Sequence, residues 1–284
     1  MEPTIASSAN RRYWQALVSR HPVGIYFVAT FVISWTGALL VAAPAVLHGR
    51  SVPRMAGLMM FPAMLSGPCL TGVILPRIAG GNAGLKDLLA RMGRIRLGRW
   101  YAVLLIPPGL ILAVLLCLDK SVSSVYAPNR FLIGIAFGVI AGFLEEVGWT
   151  GFAFPAMSAH RSWFPAAVLL GLCWGLWHLP VIDFLGTATP HGSYLLHYFL
   201  AFTAAITAIR VLIGWTYSHT RSVFLAQLMH ASSTGSLVVL SPPQVNARQE
   251  ALWYGAYACI LWVAVAAVVF VFGGNRRVCA YRGE

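Results

Sequence analysis

Long apolar runs, almost free of charged residues, organise this chain of 284 residues. Residues 22–47 contain no Asp, Glu, Lys or Arg, and about 20 apolar residues suffice for a helix to cross the hydrocarbon core of a bilayer. Further runs follow, with Pro, Gly, Arg and Asn between them, at 55–76, 100–118, 131–157, 163–184, 193–216, 222–240 and 251–272. The sequence therefore predicts an all-α fold, a polytopic integral membrane bundle of about eight transmembrane helices.

The composition argues against a soluble protein. Only 10% of the residues are charged, against roughly 25% in an ordinary soluble domain. The formal net charge of +12 is compatible with nucleic-acid binding, but the basic residues lie in short stretches between apolar runs rather than along one amphipathic face. We interpret the basic residues as determinants of the orientation of the chain in a membrane. The lipid bilayer is therefore a predicted partner, and nucleic acid is not.

The basic residues are distributed unequally between the two sides of the predicted bundle. With a cytoplasmic N-terminus, most of them fall in inner loops, and the outer loops contain only Arg50, Arg54, Lys120, Arg130 and Arg248. This positive-inside pattern predicts an even number of spans, with both termini cytoplasmic, in the cell (plasma) membrane. We expect a basic tail over 1–21, the bundle over 22–272 and a second basic tail over 273–284.

Two segments near the N-terminus have a second interpretation. The run 22–47 is longer than the roughly 7–15 apolar residues of a signal peptide, so we expect it to be retained as a span. The stretch 77–99 mixes Leu with Arg and Lys. That mixture fits an interfacial segment on the anionic inner leaflet and fits a solvated loop equally well.

Several common motifs are missing from the sequence. The five cysteines show no CxxC spacing, which indicates neither a disulfide framework nor a zinc cluster. The sequence also has no Gly-rich phosphate loop, no HExxH motif and no evident internal repeat. ATP-driven transport and the common helical metalloprotease signature therefore lose support.

A carboxylate pair, Glu145-Glu146, lies inside the fourth run, where ionisable groups are costly and mark a functional site by default. Gly134, Gly138 and Gly142 form a stripe of small residues that lets a second helix approach closely, and Glu145 continues this stripe. A buried glutamate beside a like charge suits a general base, so Glu145 is our candidate. The alternative is that the carboxylates are protonated, or paired only to anchor the helix.

The fifth run ends with Trp174 and His178 one helical turn apart, and Pro180 should kink or stop the helix just beyond the histidine. An intramembrane histidine beside a helix break is typical of a proton carrier or a ligand. The alternative is a core histidine bonded to a carbonyl. We expect Trp174 and Trp177 to serve packing rather than chemistry.

The seventh run places Gln227, His230 and Thr234 on one helical face. Residue counts put Glu145, His178 and His230 at depths in the membrane that differ by roughly 12 Å. Helix tilt can remove this difference or leave it in place. Arg210, inside the sixth run, either offsets Glu146 or extends to the interface. We expect His191 and Asp183 to be hydrated, because both fall near predicted span ends.

Three stretches resemble the motifs of the CAAX protease and bacteriocin-processing family, also called the abortive-infection family. They read Glu145-Glu146-x-x-x-Thr150, Trp174-x-x-x-His178 and His230-x-x-x-Thr234, where typical members have Glu-Glu-x-x-x-Arg, Phe-x-x-x-His and His-x-x-x-Asn. The similarity covers roughly residues 131–234. It implies an intramembrane endopeptidase, related to type II CAAX prenyl proteases, that cleaves a membrane-associated protein or peptide, with a lipidated substrate as one option.

The resemblance also implies roles for individual residues. Glu145 would activate the attacking water, with Glu146 as the second carboxylate of the pair, and His178 would assist it. His230 and Thr234 would hold the oxyanion of the tetrahedral intermediate. The family resemblance implies no cofactor, although two glutamates and two histidines are also able to ligate a divalent metal ion with an open position for water.

The chain departs from the family pattern at three positions. Thr150 replaces the usual Arg, Thr234 replaces the usual Asn, and Trp174 replaces Phe, a change we expect to be mild. The first two leave open a catalytically degenerate immunity or scaffold protein of the same fold. A proton-coupled transporter, with the same Glu and His as a relay, is a third alternative; the lack of an inverted repeat disfavours it.

Overall fold

The computed structural model describes residues 5–159 and 161–272 of the chain, and within these ranges the fold is built from helices. The predicted tail 273–284 and the first four residues of the predicted tail 1–21 lie outside the described ranges. The α-helices are α1 Ile5–Arg20, α2 Pro22–Leu47, α3 Arg54–Met92, α4 Ile106–Ser121, α5 Gly134–Gly148, α6 Phe154–Ser158, α7 Trp163–Trp177, α8 Leu195–Thr220, α9 Val223–Leu240 and α10 Ala247–Phe272.

The predicted polytopic all-α class is confirmed. Seven segments among the described residues have the length and apolar composition of a membrane span. The eighth predicted span, 163–184, contains only the 15-residue α7, followed by a 3₁₀ segment, Leu179–Phe184. Pro180 explains this early end, because it cannot donate a hydrogen bond to the preceding turn. The predicted helix break beyond His178 is therefore confirmed.

Helix α3 is longer than its apolar run predicts, since it continues past residue 76 to Met92. A kink at Gly81, whose φ of 59° suits glycine, separates a first segment from a second one over 82–92. The side chain of Leu88 in this second segment is buried. The interpretation of this stretch as a solvated loop was therefore wrong for residues 82–92, because the helix has an apolar face that packs on the bundle.

Part of the predicted N-terminal tail also packs on α3. Residues 5–20 form α1, in which the side chain of Val18 is buried. The Gln15 amide donates a hydrogen bond of 3.1 Å to the carbonyl of Ala79. The N-terminal segment is therefore docked at the end of the first α3 segment.

Glycines place α5 between α9 and α3 with backbone in contact with backbone. A Cβ atom on Gly138 would lie 2.4 Å from the carbonyl oxygen of Ala231 in α9, so only glycine fits there. On the other side, a Cβ atom on Gly72 of α3 would lie 2.6 Å from the Cα of Gly148. Small residues allow such close helix packing in membranes. The end of α5, with its two glutamates, is therefore held at the centre of the bundle.

The loop between α7 and α8 and the start of α10 form a cluster of ionisable groups around a buried histidine, which the sequence did not lead us to expect. His191 is 1% exposed, and its Nδ1 lies 3.0 Å from Asp183 Oδ1 while its Nε2 lies 3.2 Å from Glu250 Oε2. Glu250, in the first turn of α10, also accepts hydrogen bonds from the backbone of Thr187 and Ala188. The expectation that His191 is hydrated was wrong, because α10 closes over the loop.

We predict that this cluster makes the stability of the protein depend on pH. Burial alone would lower the pKa of His191, but the carboxylates of Glu250 and Asp183 outweigh burial and raise this pKa above its ordinary value. A pKa that is higher in the folded chain stabilises the fold below the unfolded value of about 6.5, and this contribution is lost as the pH rises through the raised pKa.

The measurement is thermal unfolding in detergent between about pH 5.5 and pH 8.5. We expect the decline in unfolding temperature with rising pH to be smaller in His191→Asn than in wild type. His197→Asn, which changes an exposed histidine of the same region, is the control and should keep the wild-type profile. An unaltered profile in His191→Asn would contradict the prediction.

Candidate active site

Glu145 lies on the last turn of α5 and is 3% exposed. Its Oε2 accepts a hydrogen bond of 3.0 Å from the indole Nε1 of Trp149 and another of 2.8 Å from the indole Nε1 of Trp174. Both recorded bonds fall on the same oxygen, so in the described part of the chain Oε1 has no recorded partner. This oxygen is the one that remains to accept a hydrogen bond from a water molecule.

Glu146 is held by three neighbouring side chains and is fully buried. Arg210 of α8 binds it through both nitrogens of its fork, with Nη1 at 2.8 Å from Oε2 and Nη2 at 2.5 Å from Oε1. The hydroxyl of Thr150 donates to Oε2, and Nδ1 of His230 lies 2.8 Å from Oε1. Arg210 is itself 0% exposed, so it offsets Glu146, and the interpretation that it extends to the interface was wrong.

Trp174 contributes more than the packing we expected of it. Its indole donates to Glu145, and its ring lies 4.6 Å from the guanidinium carbon of Arg210, which is cation–π distance. The ring also meets His230 edge to face, with centroids 5.0 Å apart. The Trp174 side chain thus contacts Glu145 and also two of the side chains that bond to Glu146. Trp in place of Phe thus adds a hydrogen-bond donor to Glu145, because Phe has no N–H to donate.

The two histidines use Nδ1 for structural contacts. In His178, the C-cap of α7, Nδ1 lies 2.8 Å from the carbonyl oxygen of Trp174, and in His230 it lies 2.8 Å from a Glu146 oxygen. A carbonyl or carboxylate only accepts, so each Nδ1 is the donor and carries the proton. Among the described residues, neither Nε2 has a recorded hydrogen-bond partner, and both remain available for chemistry.

Thr234 is the predicted site residue that the structure does not tie to the others. It lies one helical turn after His230 on α9 and is half-buried, and its hydroxyl has no hydrogen bond recorded within residues 5–159 and 161–272. Glu145, Glu146, His178 and His230 are linked by shared contacts with Trp174 or Arg210. The depth difference calculated from residue counts is therefore closed in the fold for these four.

The arrangement of the donors does not suit a divalent metal ion. Across the residues that the structure describes, no group of three or more His, Cys, Asp and Glu side chains has the geometry of a metal site. Both oxygens of Glu146 already face the guanidinium of Arg210, whose positive charge would repel a cation. Glu145 Oε2 is likewise used by two indoles, and the atoms that remain, Glu145 Oε1 and the two histidine Nε2 atoms, do not form such a group in the described part of the chain.

Sequence reasoning missed the indoles and the segment that surrounds Thr150. Residues Trp149–Ala153 form a π-helical turn directly after α5, and such turns occur frequently at functional sites. The contact between Trp149 and Glu145 was predictable from their spacing, since Trp149 lies four residues after Glu145 on the same helical face. No local signal indicated Trp174 as a donor to Glu145, because that contact joins two helices.

The segment that carries these side chains is also similar in sequence to known proteins. Residues 127–235, the segment that contains the two glutamates, both histidines and Arg210, match a family model described as type II CAAX prenyl endopeptidase Rce1-like. The chain is also 26% identical over 230 residues to a CAAX prenyl protease 2 of Methanococcus maripaludis, an alignment that covers 72% of this chain and 80% of the relative. Both comparisons support a CAAX protease-like intramembrane endopeptidase.

Proposed function

We propose that this endopeptidase hydrolyses a peptide bond of a membrane-associated substrate with a water molecule activated by Glu145. The observation that carries the proposal is the asymmetry of the Glu145 carboxylate. Two indoles fix Oε2 at 3.0 and 2.8 Å, while Oε1 has no recorded partner among the described residues. A carboxylate whose orientation is fixed through one oxygen can use the other as a general base at a defined position.

The first chemical step is the attack of the water molecule. Glu145 Oε1 takes a proton from the water, whose oxygen forms a bond to the carbonyl carbon of the substrate, and the π electrons of the carbonyl move to its oxygen. The resulting oxyanion needs a hydrogen-bond donor, which is typically worth about 3–4 kcal/mol. His230 can provide it through Nε2–H only as an imidazolium, since Nδ1–H already donates to Glu146.

The second step breaks the carbon–nitrogen bond. The oxyanion re-forms the carbonyl, and the leaving nitrogen takes the proton that Glu145 had accepted, which restores the carboxylate. His178 is suited to carry this proton, because its Nδ1 is committed to the carbonyl of Trp174 and its Nε2 can accept and release a proton. Thr234 remains a proposed donor to the oxyanion, on the strength of its motif position.

A lipidated substrate is the finer part of the proposal. An apolar cavity of about 540 Å³ lies between α3 and α5, and its lining ends at Leu144, the residue next to Glu145. Pockets of about 300–1,000 Å³ with mostly apolar walls are typical of small-molecule sites. The similarity to prenyl endopeptidases favours an isoprenoid chain as the occupant. A prenyl group in this cavity would bring the adjoining peptide close to the glutamates.

We also propose that the protein lies in the cell membrane with both termini in the cytoplasm, which requires α7 and the 3₁₀ segment after it to cross the membrane as an eighth span. Supporting this orientation, two basic segments meet at one end of the bundle: Arg94 bonds to the carbonyl of Thr220, and the hydroxyl of Ser222 bonds to the carbonyl of Arg94. The positive-inside rule assigns that end to the cytoplasm. Accessibility labelling of single cysteines at Arg94 and Arg248 in cells tests it, since only position 248 should react from outside.

The catalytic roles lead to a direct prediction for activity. We expect Glu145→Gln to lower kcat about 10²- to 10⁴-fold on a membrane peptide substrate, because an amide cannot take the proton from water. His178→Ala should also cause a large loss, whereas His197→Ala, at an exposed position, should not. Activity should survive a chelator. Wild-type rates in both Glu145→Gln and His178→Ala would contradict the mechanism and favour a non-catalytic role.

The Arg210–Glu146 pair gives a prediction about charge. Removing one partner of a buried ion pair typically costs about 3–5 kcal/mol, so Arg210→Met should strongly lower both stability and activity. Thr150 also bonds to Glu146 and stands where the family has Arg. The double variant Arg210→Met, Thr150→Arg should therefore recover part of the loss in a thermal-unfolding and activity assay. No recovery beyond Arg210→Met would show that the charge must come from α8.

The cavity gives a prediction about substrates. Leu70 lines the cavity and is 47% exposed, so a larger side chain at this position can fill the cavity with little disturbance of the core. We expect Leu70→Trp to raise KM for a prenylated peptide about 10-fold, the effect of roughly 1.4 kcal/mol of lost binding, and to leave the unprenylated peptide unaffected. Leu172→Trp, on the exposed face of α7, is the control. An equal KM for prenylated peptide in both variants would rule out this cavity.

A further inference from the structure

Arg91 links the second segment of α3 to two other parts of the bundle. Its side chain is only 15% exposed. Nε donates to Asp87 Oδ2 at 2.8 Å, Nη1 to the hydroxyl of Tyr217 at 3.0 Å and Nη2 to the carbonyl oxygen of Gly151 at 2.9 Å. Each nitrogen of the guanidinium therefore has an acceptor, and the three acceptors come from α3, α8 and the π-helical turn.

The carbonyl of Gly151 lies in the π-helical turn, close to Pro155 at the start of α6. Proline has no N–H, so residue 155 donates to no carbonyl of the preceding turn. The guanidinium of Arg91 adds a charged donor to this part of the backbone, at 2.9 Å from the carbonyl oxygen of Gly151.

The segment around Arg91 is fitted closely to this turn. Leu88, one turn before Arg91, is buried, and a Cβ atom on Gly151 would lie 2.7 Å from its side chain. A larger residue at position 151 would therefore require Cδ1 of Leu88 to shift. The α3 segment thus contacts the π-helical turn through both an apolar side chain and a charged one.

The two remote partners of Arg91 belong to the elements that carry Thr150 and Arg210, two of the side chains that bond to Glu146. Gly151 adjoins Thr150, whose hydroxyl donates to Glu146. Tyr217 lies seven residues after Arg210 on α8, about two helical turns further along the same face. Arg91 therefore sets the position of the π-helical turn relative to α8, which are the two backbones from which Thr150 and Arg210 reach Glu146.

We propose that Arg91 is a positioning residue for the catalytic centre, acting through the π-helical turn and α8. It touches neither glutamate. Without it, the carbonyl of Gly151 loses a charged donor, and the turn that carries Trp149 and Thr150 can move away from α8. Trp149 orients Glu145 and Thr150 orients Glu146, so both carboxylates lose part of their orientation. The catalytic part of this inference rests on the proposed function.

The kinetic test compares Arg91→Met with Arg94→Met. Arg94 lies two residues beyond the end of the same segment and also donates to a backbone carbonyl, that of Thr220, but has no recorded bond to the π-helical turn. Displacement of catalytic groups by about 1 Å can cost 10²-fold in rate, so we expect kcat to fall about 10- to 100-fold in Arg91→Met with KM within about twofold of wild type. Arg94→Met should keep kcat. Equal kcat values in the two variants would overturn the proposal.

A second readout does not depend on catalysis. Hydrogen–deuterium exchange should be faster over residues 149–156 in Arg91→Met than in wild type, and unchanged there in Arg94→Met. Asp87→Asn, which weakens only the contact that orients the guanidinium, serves if Arg91→Met does not fold, and should show a smaller increase. Unchanged exchange in the folded variant would overturn the positioning role. An inactive wild type with the expected exchange pattern would refute the proposed function while leaving this structural link intact.

Discussion

The buried ion pair between Glu146 and Arg210 is the interaction on which the rest of the site depends. Two charges without exposure to water are costly, and their attraction offsets this cost only when the geometry is good and the remaining donors and acceptors are used. Here the guanidinium binds both carboxylate oxygens, and Thr150 and His230 add further bonds. These requirements fix α5, the π-helical turn, α8 and α9 relative to one another, because displacing any of them leaves a buried polar group without its partner.

Trp174 extends this constraint from one glutamate to the other. Its indole N–H fixes Glu145, while the face of the same ring lies against the cation that fixes Glu146. The two carboxylates are adjacent in sequence but point to different neighbours, as α-helical geometry requires. A single rigid aromatic group between them keeps both in place. The different contacts of the two glutamates therefore depend on α7 as well as on α5.

The sequence was sufficient for the features that follow from local patterns. Apolar runs predicted the helices, the glycine stripe predicted close packing of α5, and Pro180 predicted the end of α7. It was not sufficient where two distant segments meet. Arg210 had two possible roles until α8 was placed beside α5, and the indole of Trp174 looked like packing because its acceptor lies 29 residues away. His191 was misjudged for the same reason, since Glu250 reaches it from α10.

The fold changes what Thr150 implies about the charge on its neighbour Glu146. The family pattern places an arginine at this position, one turn after the second glutamate, and its absence suggested that Glu146 had lost its cation. The electrostatic requirement concerns where the charge lies and not which helix carries it. Arg210 brings a guanidinium to Glu146 from α8, and Thr150 has the smaller side chain that leaves room for it while it still donates a hydrogen bond. In this chain an arginine on α8 supplies the guanidinium, and both oxygens of Glu146 are bonded. The absence of an arginine at position 150 therefore does not leave the second carboxylate without a cation.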